Sequence, residues 1–404
     1  MVSDPELIRD MNIKDFHVFV NRHGYSFNDP LNDRSLTNLM GDEWKTMRSI
    51  ISPTFSSGKM RSMHPIIIDC VHRLDNYLET KAMAGGDVEM KKTMGSLTMD
   101  VIASCAFGTK IDTYNDHKTS EFIVNAKQVF CGGVWRLWVF MALVKISPKL
   151  FEWTGFQIID PSVQKFFNTA ITSIVSRRKS EKVRQRDYLQ LMIDAQNRKN
   201  KDTDDQDVDD LDENIYGKWQ NYGKIETTET SDINNSNKSE STGMSDADII
   251  ANSFLFLMAA YETSGALLSF LFYNLALNEK CQQKLYEEVN GLDGMYDYES
   301  VSKMPYLEAC IAETLRLQPP LPATHRHASQ EYTLDCNWLT IPKGMMVIFD
   351  IYALHHNPEY YPNPEVWDPE RFMPENRDQL TPYTYMPFGT GPRNCVGMRK
   401  AIGS

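Results

Sequence analysis

Residues 386–397 read MPFGTGPRNCVG, a turn that holds one cysteine, Cys395, among Gly389, Gly391 and Gly397, with Arg393 two residues before it. Glycine permits positive φ and close backbone approach, so a turn of this kind can aim several N–H groups at one sulfur. Those donors and the nearby guanidinium stabilise a thiolate, the form of cysteine that binds a soft or borderline metal. No second Cys or His stands in the turn. A metal held here must bring its other ligands with it, as iron does in haem. An inert thiol packed in a Gly-rich loop is the simpler alternative, and the turn alone fits both.

Three more constellations carry chemistry. Glu262 and Thr263 stand in the middle of MSDADIIANSFLFLMAAYETSGALLSFLFYNLALNEK (244–280). An acid and a β-branched alcohol are costly in an apolar wall, and local misfits of this kind mark function. The alternative for Thr263 is a hydroxyl bonded back to a carbonyl of its own helix. Glu313 and Arg316 are three apart and share a helix face. Among apolar Ile311, Leu315 and Leu317 they are expected to be buried, with Arg371 as a third member. Such a network contributes structural specificity more than stability. Trp44 and Arg48 are one helical turn apart and can both reach one carboxylate.

The elements that must position these groups are mostly helices. The period of apolar residues predicts a helix over 60–80, a second over 88–107 closed by Gly108, and a helical region over 160–197 with a charged, solvated middle. Ser245 and Asp248 make a capping box for a long helix that runs to about Asn278. That helix is on the order of 50 Å long and apolar nearly all round, so it should be buried. Helices over 279–290 and 303–319 follow. Beyond Pro319 short β-prone runs broken by Pro342-Lys343-Gly344 predict a small sheet. The stretch VFCGGVWRLWVFMALVKI (129–146) contains Arg136, Lys145 and a Gly-Gly, and is expected to be a buried or interfacial helix, not a span. No run of about 18 uncharged apolar residues is found, and the first residues, MVSDPELIRDMN, are too polar for a signal peptide.

The 404 residues carry a net charge of −12. Residues 202–243 hold twelve Asp/Glu and three Lys, so most of the excess is local. Residues 198–243 lose all periodicity and are expected to be a disordered acidic insert within one catalytic domain spanning 1–404. No basic stripe with interleaved aromatics favours nucleic acid. The seven cysteines form no CxxC pair, which excludes zinc ribbons and dithiol motifs and fits a reducing compartment.

Phe388, Gly391, Arg393, Cys395 and Gly397 match, position by position, the haem-binding signature of the cytochrome P450 family. The other motifs agree. ETLR (313–316) is similar to the family's E-x-x-R, and PERF (369–372) to the segment that pairs with it. AAYETS (259–264) resembles the oxygen-binding motif of the long central helix. DEWKTMRSIISPTFSSGKM (42–60) resembles the helix that holds a haem propionate. The wording is closest to the animal clan of family-three enzymes and thromboxane synthase. The resemblance covers everything except the acidic insert.

The resemblance implies a mainly α fold with small β-sheets: a triangular helical prism around haem b, crossed by a long central helix. It implies Cys395 as the axial iron ligand, with Glu262 and Thr263 delivering protons during oxygen activation. Trp44, Arg48, Ala259, Arg326, Phe388, Gly391, Arg393 and Gly397 would bind the cofactor, the arginines neutralising its propionates, with Arg22 a weaker candidate for that task. The implied activity is insertion of one oxygen atom of O2 into a lipophilic small molecule (a xenobiotic, a steroid or a fatty acid). Electrons would come from NADPH through cytochrome P450 reductase, with cytochrome b5 a second partner and Lys45, Lys59 and Arg61 a docking surface. The 22–40 loop, Phe254, Met258 and Leu321 to Thr324 would line the substrate site.

The alternatives are an isomerase of the thromboxane-synthase type, which the Glu262-Thr263 pair argues against, and a truncated product without catalysis. In the family a long helix follows the cysteine, and a membrane anchor and first strands precede the segment matched by VSDPELIRDM. The chain is therefore expected to be incomplete at both ends, with the parent on the endoplasmic reticulum membrane. Ala260, Ser264 and Lys400 depart from the family's usual residues.

Overall fold

The computed structural model describes residues 1–109, 111, 114, 121–131, 134–180, 187–198, 244–294, 296–334 and 339–398. The acidic insert and Lys400 lie outside these residues. The described part is mainly helical with two small antiparallel sheets. Its longer helices are α1 (Gly41–Ile51), α2 (Ser57–Met83), α3 (Met90–Phe107), α4 (Glu121–Cys131), α5 (Val134–Ile146), α6 (Pro148–Thr154), α7 (Pro161–Ser180), α8 (Tyr188–Arg198), α9 (Asp246–Leu277), α10 (Glu279–Asn290) and α11 (Pro305–Leu317).

Local signals explain several of the boundaries. α3 ends at Gly108, whose φ of 59° is left-handed and unstrained in glycine. α9 begins with both bonds of the capping box, Asp248 N–H to the Ser245 hydroxyl and Ser245 N–H to the Asp248 carboxylate. By length and composition α9 could cross a bilayer, although Glu262 interrupts its uncharged run. Its apolar character has another use, because α9 runs through the main core and packs most heavily on α3. The 129–146 stretch, expected to be one buried or interfacial helix, is not continuous. It divides between α4 and α5, and α5 leaves Trp135, Leu137, Trp138 and Met141 exposed.

Beyond α11, β1 (Ala323–His327) pairs antiparallel with β4 (Met346–Asp350), setting Arg326 opposite Val347. β2 (Tyr332–Thr333) pairs with β3 (Thr340–Ile341). A single bridge joins Asn21 to His327, which brings the early chain against β1.

The Glu313–Arg316 pair is fully buried. Arg316 donates to both Glu313 carboxylate oxygens (2.7 and 2.8 Å) and to the His355 carbonyl (2.8 Å). Glu313 also accepts from the Asp368 amide at 2.9 Å, with Arg371 Nε 3.5 Å from its Oε1. His355 lies in the next layer. Its Nδ1 donates to the Arg316 carbonyl and its Nε2 accepts from the Met386 amide. Tyr385 donates its hydroxyl to the Ala312 carbonyl. The network thus ties α11 to the segment that leads into the Cys395 turn.

His355 is held neutral. Burial, then the Arg316 charge, pulls its pKa from 6.5 to about 3. The folded value lies below the unfolded one, so this contribution to stability is full above about pH 6.5 and is lost as pH falls toward 3. The slope from one such group reaches about 1.4 kcal/mol per pH unit. Glu313, which burial shifts upward, opposes it in part, because the folded state then holds the extra proton. Urea midpoints measured from neutral pH to about pH 4 should fall steeply for the natural chain. They should fall about one proton less steeply for His355→Gln; equal slopes would remove His355 as the cause.

Candidate functional site

The Cys395 turn is built by glycines and closed by backbone hydrogen bonds. Gly389 and Gly391 have φ of 72° and 73°. The Cys395 amide donates to the Phe388 carbonyl at 2.9 Å and the Asn394 amide to the Gly391 carbonyl at 3.0 Å. Gly391 is fixed twice over, because a Cβ there would fall 2.1 Å from the Asn12 carbonyl oxygen. Gly397 has no positive φ, and a Cβ there would meet the Cys395 sulfur at an ordinary 3.9 Å. Its contribution is its amide, which bonds the Cys395 sulfur.

Cys395 is exposed, yet burial is the largest influence on its thiol and pushes it upward. An exposed residue whose thiol is desolvated by the surrounding protein fits the wall of a cleft. The Gly397 amide and the guanidinium groups of Arg48 and Arg22 act in the opposite direction and favour the thiolate. Among the other described cysteines, Cys70, Cys105 and Cys310 are buried and Cys281 is half-buried.

Beside the sulfur stands a cluster of arginines drawn from four places in the chain: Arg22, Arg48, Arg326 and Arg393. Arg326 and Arg393 are 1% and 2% exposed. Burial, then the neighbouring guanidinium groups, lowers Arg393 to about 8 and Arg326 to about 9. A guanidinium does not give up its proton in a protein, so the depression expresses an uncompensated positive charge. His325, next to Arg326, is pulled to about 4 by burial, then Arg22, Arg326 and His23. The Nε atoms of Arg22, Arg326 and Arg393 are buried without a hydrogen-bond partner. Their hydrogen bonds go to neutral acceptors: Arg22 Nη2 to the Arg393 carbonyl, Arg326 Nη1 to the His325 carbonyl and the Thr324 hydroxyl, and Arg393 to the Thr37 and Leu39 carbonyls. Among the described residues no carboxylate pairs with any of these three. A buried cation cluster of this kind is costly unless an anion completes it.

Trp44 and Arg48 join this cluster through the residues of the turn. The Arg393 guanidinium lies over the Trp44 ring, 4.3 Å from its centroid, an attractive cation–π geometry. Arg48 donates to the Asn394 carbonyl at 2.9 Å and its side-chain oxygen at 2.7 Å. The two residues therefore hold the two positions that precede Cys395. Arg22, the weaker candidate from the sequence, stands in the cluster; the sequence does not single out Asn394 and His325, and their part becomes visible only through proximity.

The second wall belongs to α9. Ala259 is exposed in the middle of this core helix, and Ala260, Glu262, Thr263 and Ser264 are half-buried. The Thr263 hydroxyl donates to the Ala259 carbonyl at 2.6 Å, the back-bonded geometry open to a mid-helix threonine. Glu262 and Thr263 make no described contact with the arginine cluster. Ala260 and Val396, the neighbour of Cys395, do pack against the same core. Phe254 and Met258 differ from expectation: both are buried in that core, with the Phe254 ring 5.3 Å from Phe167. Helical rotation turns them inward where Ala259 and Thr263 face open space. Leu321 is exposed.

The donor set fits a haem: a sulfur for iron, buried cations for two carboxylates, and an apolar core around them. The family model for cytochrome P450 matches residues 1–217 and 220–402. Cytochrome P450 6k1 of Blattella germanica is 33% identical over 404 residues, covering 99% of this chain and 73% of that protein. Cytochrome P450 3A40 of Oryzias latipes is 33% identical over 407 residues, with the same coverage. Cytochrome P450 9e2 of Blattella germanica is 32% identical over 424 residues, covering all of this chain and 74% of that protein.

Proposed function

The chain belongs to the cytochrome P450 family and is a haem-thiolate monooxygenase, and on that premise we propose that its substrate is a lipophilic small molecule and its electron source NADPH-cytochrome P450 reductase. The observation that carries the site assignment is the exposed residue Cys395 beside the guanidinium groups of Arg22, Arg326 and Arg393, which pair with no carboxylate among the described residues. In this reading Cys395 holds the iron, and the Gly397 amide steadies the charge on its sulfur. Arg22, Arg326 and Arg393 receive the propionates, with Trp44 fixing Arg393 and Arg48 fixing the turn through Asn394. When bound, haem supplies the iron at which O2 is activated and one oxygen atom is passed to carbon.

The other oxygen atom leaves as water, so two electrons and two protons are needed for each turnover. Glu262 is the acid nearest in sequence to the exposed face at Ala259, and Thr263 is its neighbour on that face. Together they can hold a proton and pass it through the Thr263 hydroxyl. That hydroxyl is a donor to Ala259 at rest, so it must rotate away to serve.

The test is NADPH consumption and product formation with purified reductase and a steroid probe, testosterone, alongside the ferrous–CO difference spectrum. A thiolate-type band with reductase-dependent product supports the reading. Rearrangement of a lipid endoperoxide without any reductant would favour the isomerase instead. Cytochrome b5 is the second donor to add to the assay. Of the basic residues considered for docking, Lys45 pairs with Asp42 and Arg61 with Glu299, leaving Lys59 as the better contact. Attachment to the endoplasmic reticulum membrane is supported by exposed Trp135, Trp138, Met141, Ile146 and Trp153, residue types suited to an interface with lipid. Flotation with neutral vesicles, lost in Trp138→Glu, would test it; unchanged flotation of that variant would reject this surface.

A further inference from the structure

The central helix α9 receives a hydrogen bond from outside itself at the level of the acid–alcohol pair. Thr98, on α3, donates its hydroxyl to the Tyr261 carbonyl at 3.0 Å, with the Gly95 carbonyl also in reach at 3.1 Å. The contact is buried, with Thr98 itself 5% exposed. It depends on Gly265. A Cβ on Gly265 would lie 3.3 Å from the Thr98 hydroxyl and 3.4 Å from Gly95 Cα, whereas a Cβ on Gly95 would meet the Tyr261 ring at an ordinary 3.7 Å. The backbones of α3 and α9 therefore approach at one place, and Thr98 fills it.

The carbonyl that Thr98 holds is the other half of the Glu262 amide. Tyr261 C=O and Glu262 N–H belong to one rigid peptide plane. A donor fixed on α3 thus fixes the rotation of the plane from which Glu262 projects. Thr263 follows directly, with its own hydroxyl turned to Ala259 on the exposed side. The clamp and the reacting face are on opposite sides of the same helical turn.

We propose that Thr98 is a positioning residue: by clamping the Tyr261–Glu262 peptide plane, it sets the orientation in which Glu262 and Thr263 are presented for proton transfer. This rests on the proton-delivery reading above. A residue that only fills space between two helices would be replaced without loss by valine, which has the same shape. A clamp would not, because the methyl cannot donate.

The test compares Thr98→Val and Thr98→Ser in the haem-loaded full chain with reductase and testosterone. Two quantities are read: hydrogen peroxide released per NADPH consumed, and amide hydrogen exchange across the segment holding Glu262 and Gly265. The loss of one net hydrogen bond corresponds to about a fivefold change. Thr98→Val should raise both by about that factor, with the ferrous–CO band kept, and Thr98→Ser should restore both. Unchanged peroxide release in Thr98→Val overturns the proposal, even if exchange rises, because the bond would then be structural only. Should valine prevent haem binding, Thr98→Ala takes its place under the same criteria. Glu262→Gln and Thr263→Ala run in parallel. If they raise peroxide release and Thr98→Val does not, the clamp alone is wrong. If neither raises it, proton delivery by this pair is wrong.

Discussion

Cys395→Ser should abolish the thiolate-type ferrous–CO band and lower reductase-supported turnover by on the order of a thousandfold or more, about 4 kcal/mol of barrier. The hydroxyl replaces the sulfur with little change of shape, so the turn is expected to survive. Its frame is made by Gly389, Gly391 and the Cys395 amide, none of which depends on the sulfur. The arginine cluster also survives, so the variant can still hold a haem by its carboxylates. What disappears is the electron-rich thiolate that would hold the iron. The variant's spectrum should therefore be that of a haem protein without sulfur ligation, and not the spectrum of an empty chain. Retention of the thiolate-type band would mean that another cysteine binds iron. The structure offers no easy substitute among the described residues, since Cys70, Cys105 and Cys310 are in the core, with Cys70 pushed up to about 12 by burial.

Arg316→Leu should destabilise the fold by about 3–5 kcal/mol, read as a shift in the urea midpoint of the haem-free chain. The leucine is apolar and of acceptable bulk, so the loss is electrostatic. It strips the Glu313 carboxylate of two close donors and the His355 carbonyl of one. Glu313 is fully buried and keeps only the Asp368 amide at 2.9 Å and the more distant Arg371. An uncompensated buried carboxylate takes up a proton instead, so the loss should be greatest at high pH and smaller in acid. Replacing both partners, Glu313→Leu with Arg316→Met, should cost less than the single change. A single variant within about 1 kcal/mol of the natural chain would refute the view that the pair is structurally required. The effect should reach haem binding as well, because the same layer leads through His355 to Met386 and the Cys395 turn.

The parts of the site that lie within one short segment were legible in the sequence. The Cys395 turn, the Glu313–Arg316 pair and the capping box at Ser245 each depend on residues a few positions apart, where backbone geometry fixes what can meet. The bounds of α3 and α9 were legible for the same reason: Gly108 and Ser245 carry their own stop and start signals. Less was legible where a side chain had more than one neighbour within reach. Trp44 and Arg48 do share a helix face, but they use it on Arg393 and Asn394, partners some 350 residues away.

By itself, then, the sequence determined the helical build, the cysteine poised for a metal, the acid and alcohol set into an apolar helix, and the family. The tertiary structure decided which way those elements face and what they meet. Arg22 enters the cluster because the bridge between Asn21 and His327 lays the early chain beside Arg326. Phe254 and Met258 turn into the core, and Ala259 out of it, because α3 and α7 cover particular sides of α9. Thr98 reaches the Tyr261 carbonyl because Gly265 leaves room for α3 to approach α9. The physical reason is common to all three. Local propensity sets a helix and its periodicity through contacts a few residues long, but rotation about the helix axis and the meeting of distant charges are settled by close packing across the whole core.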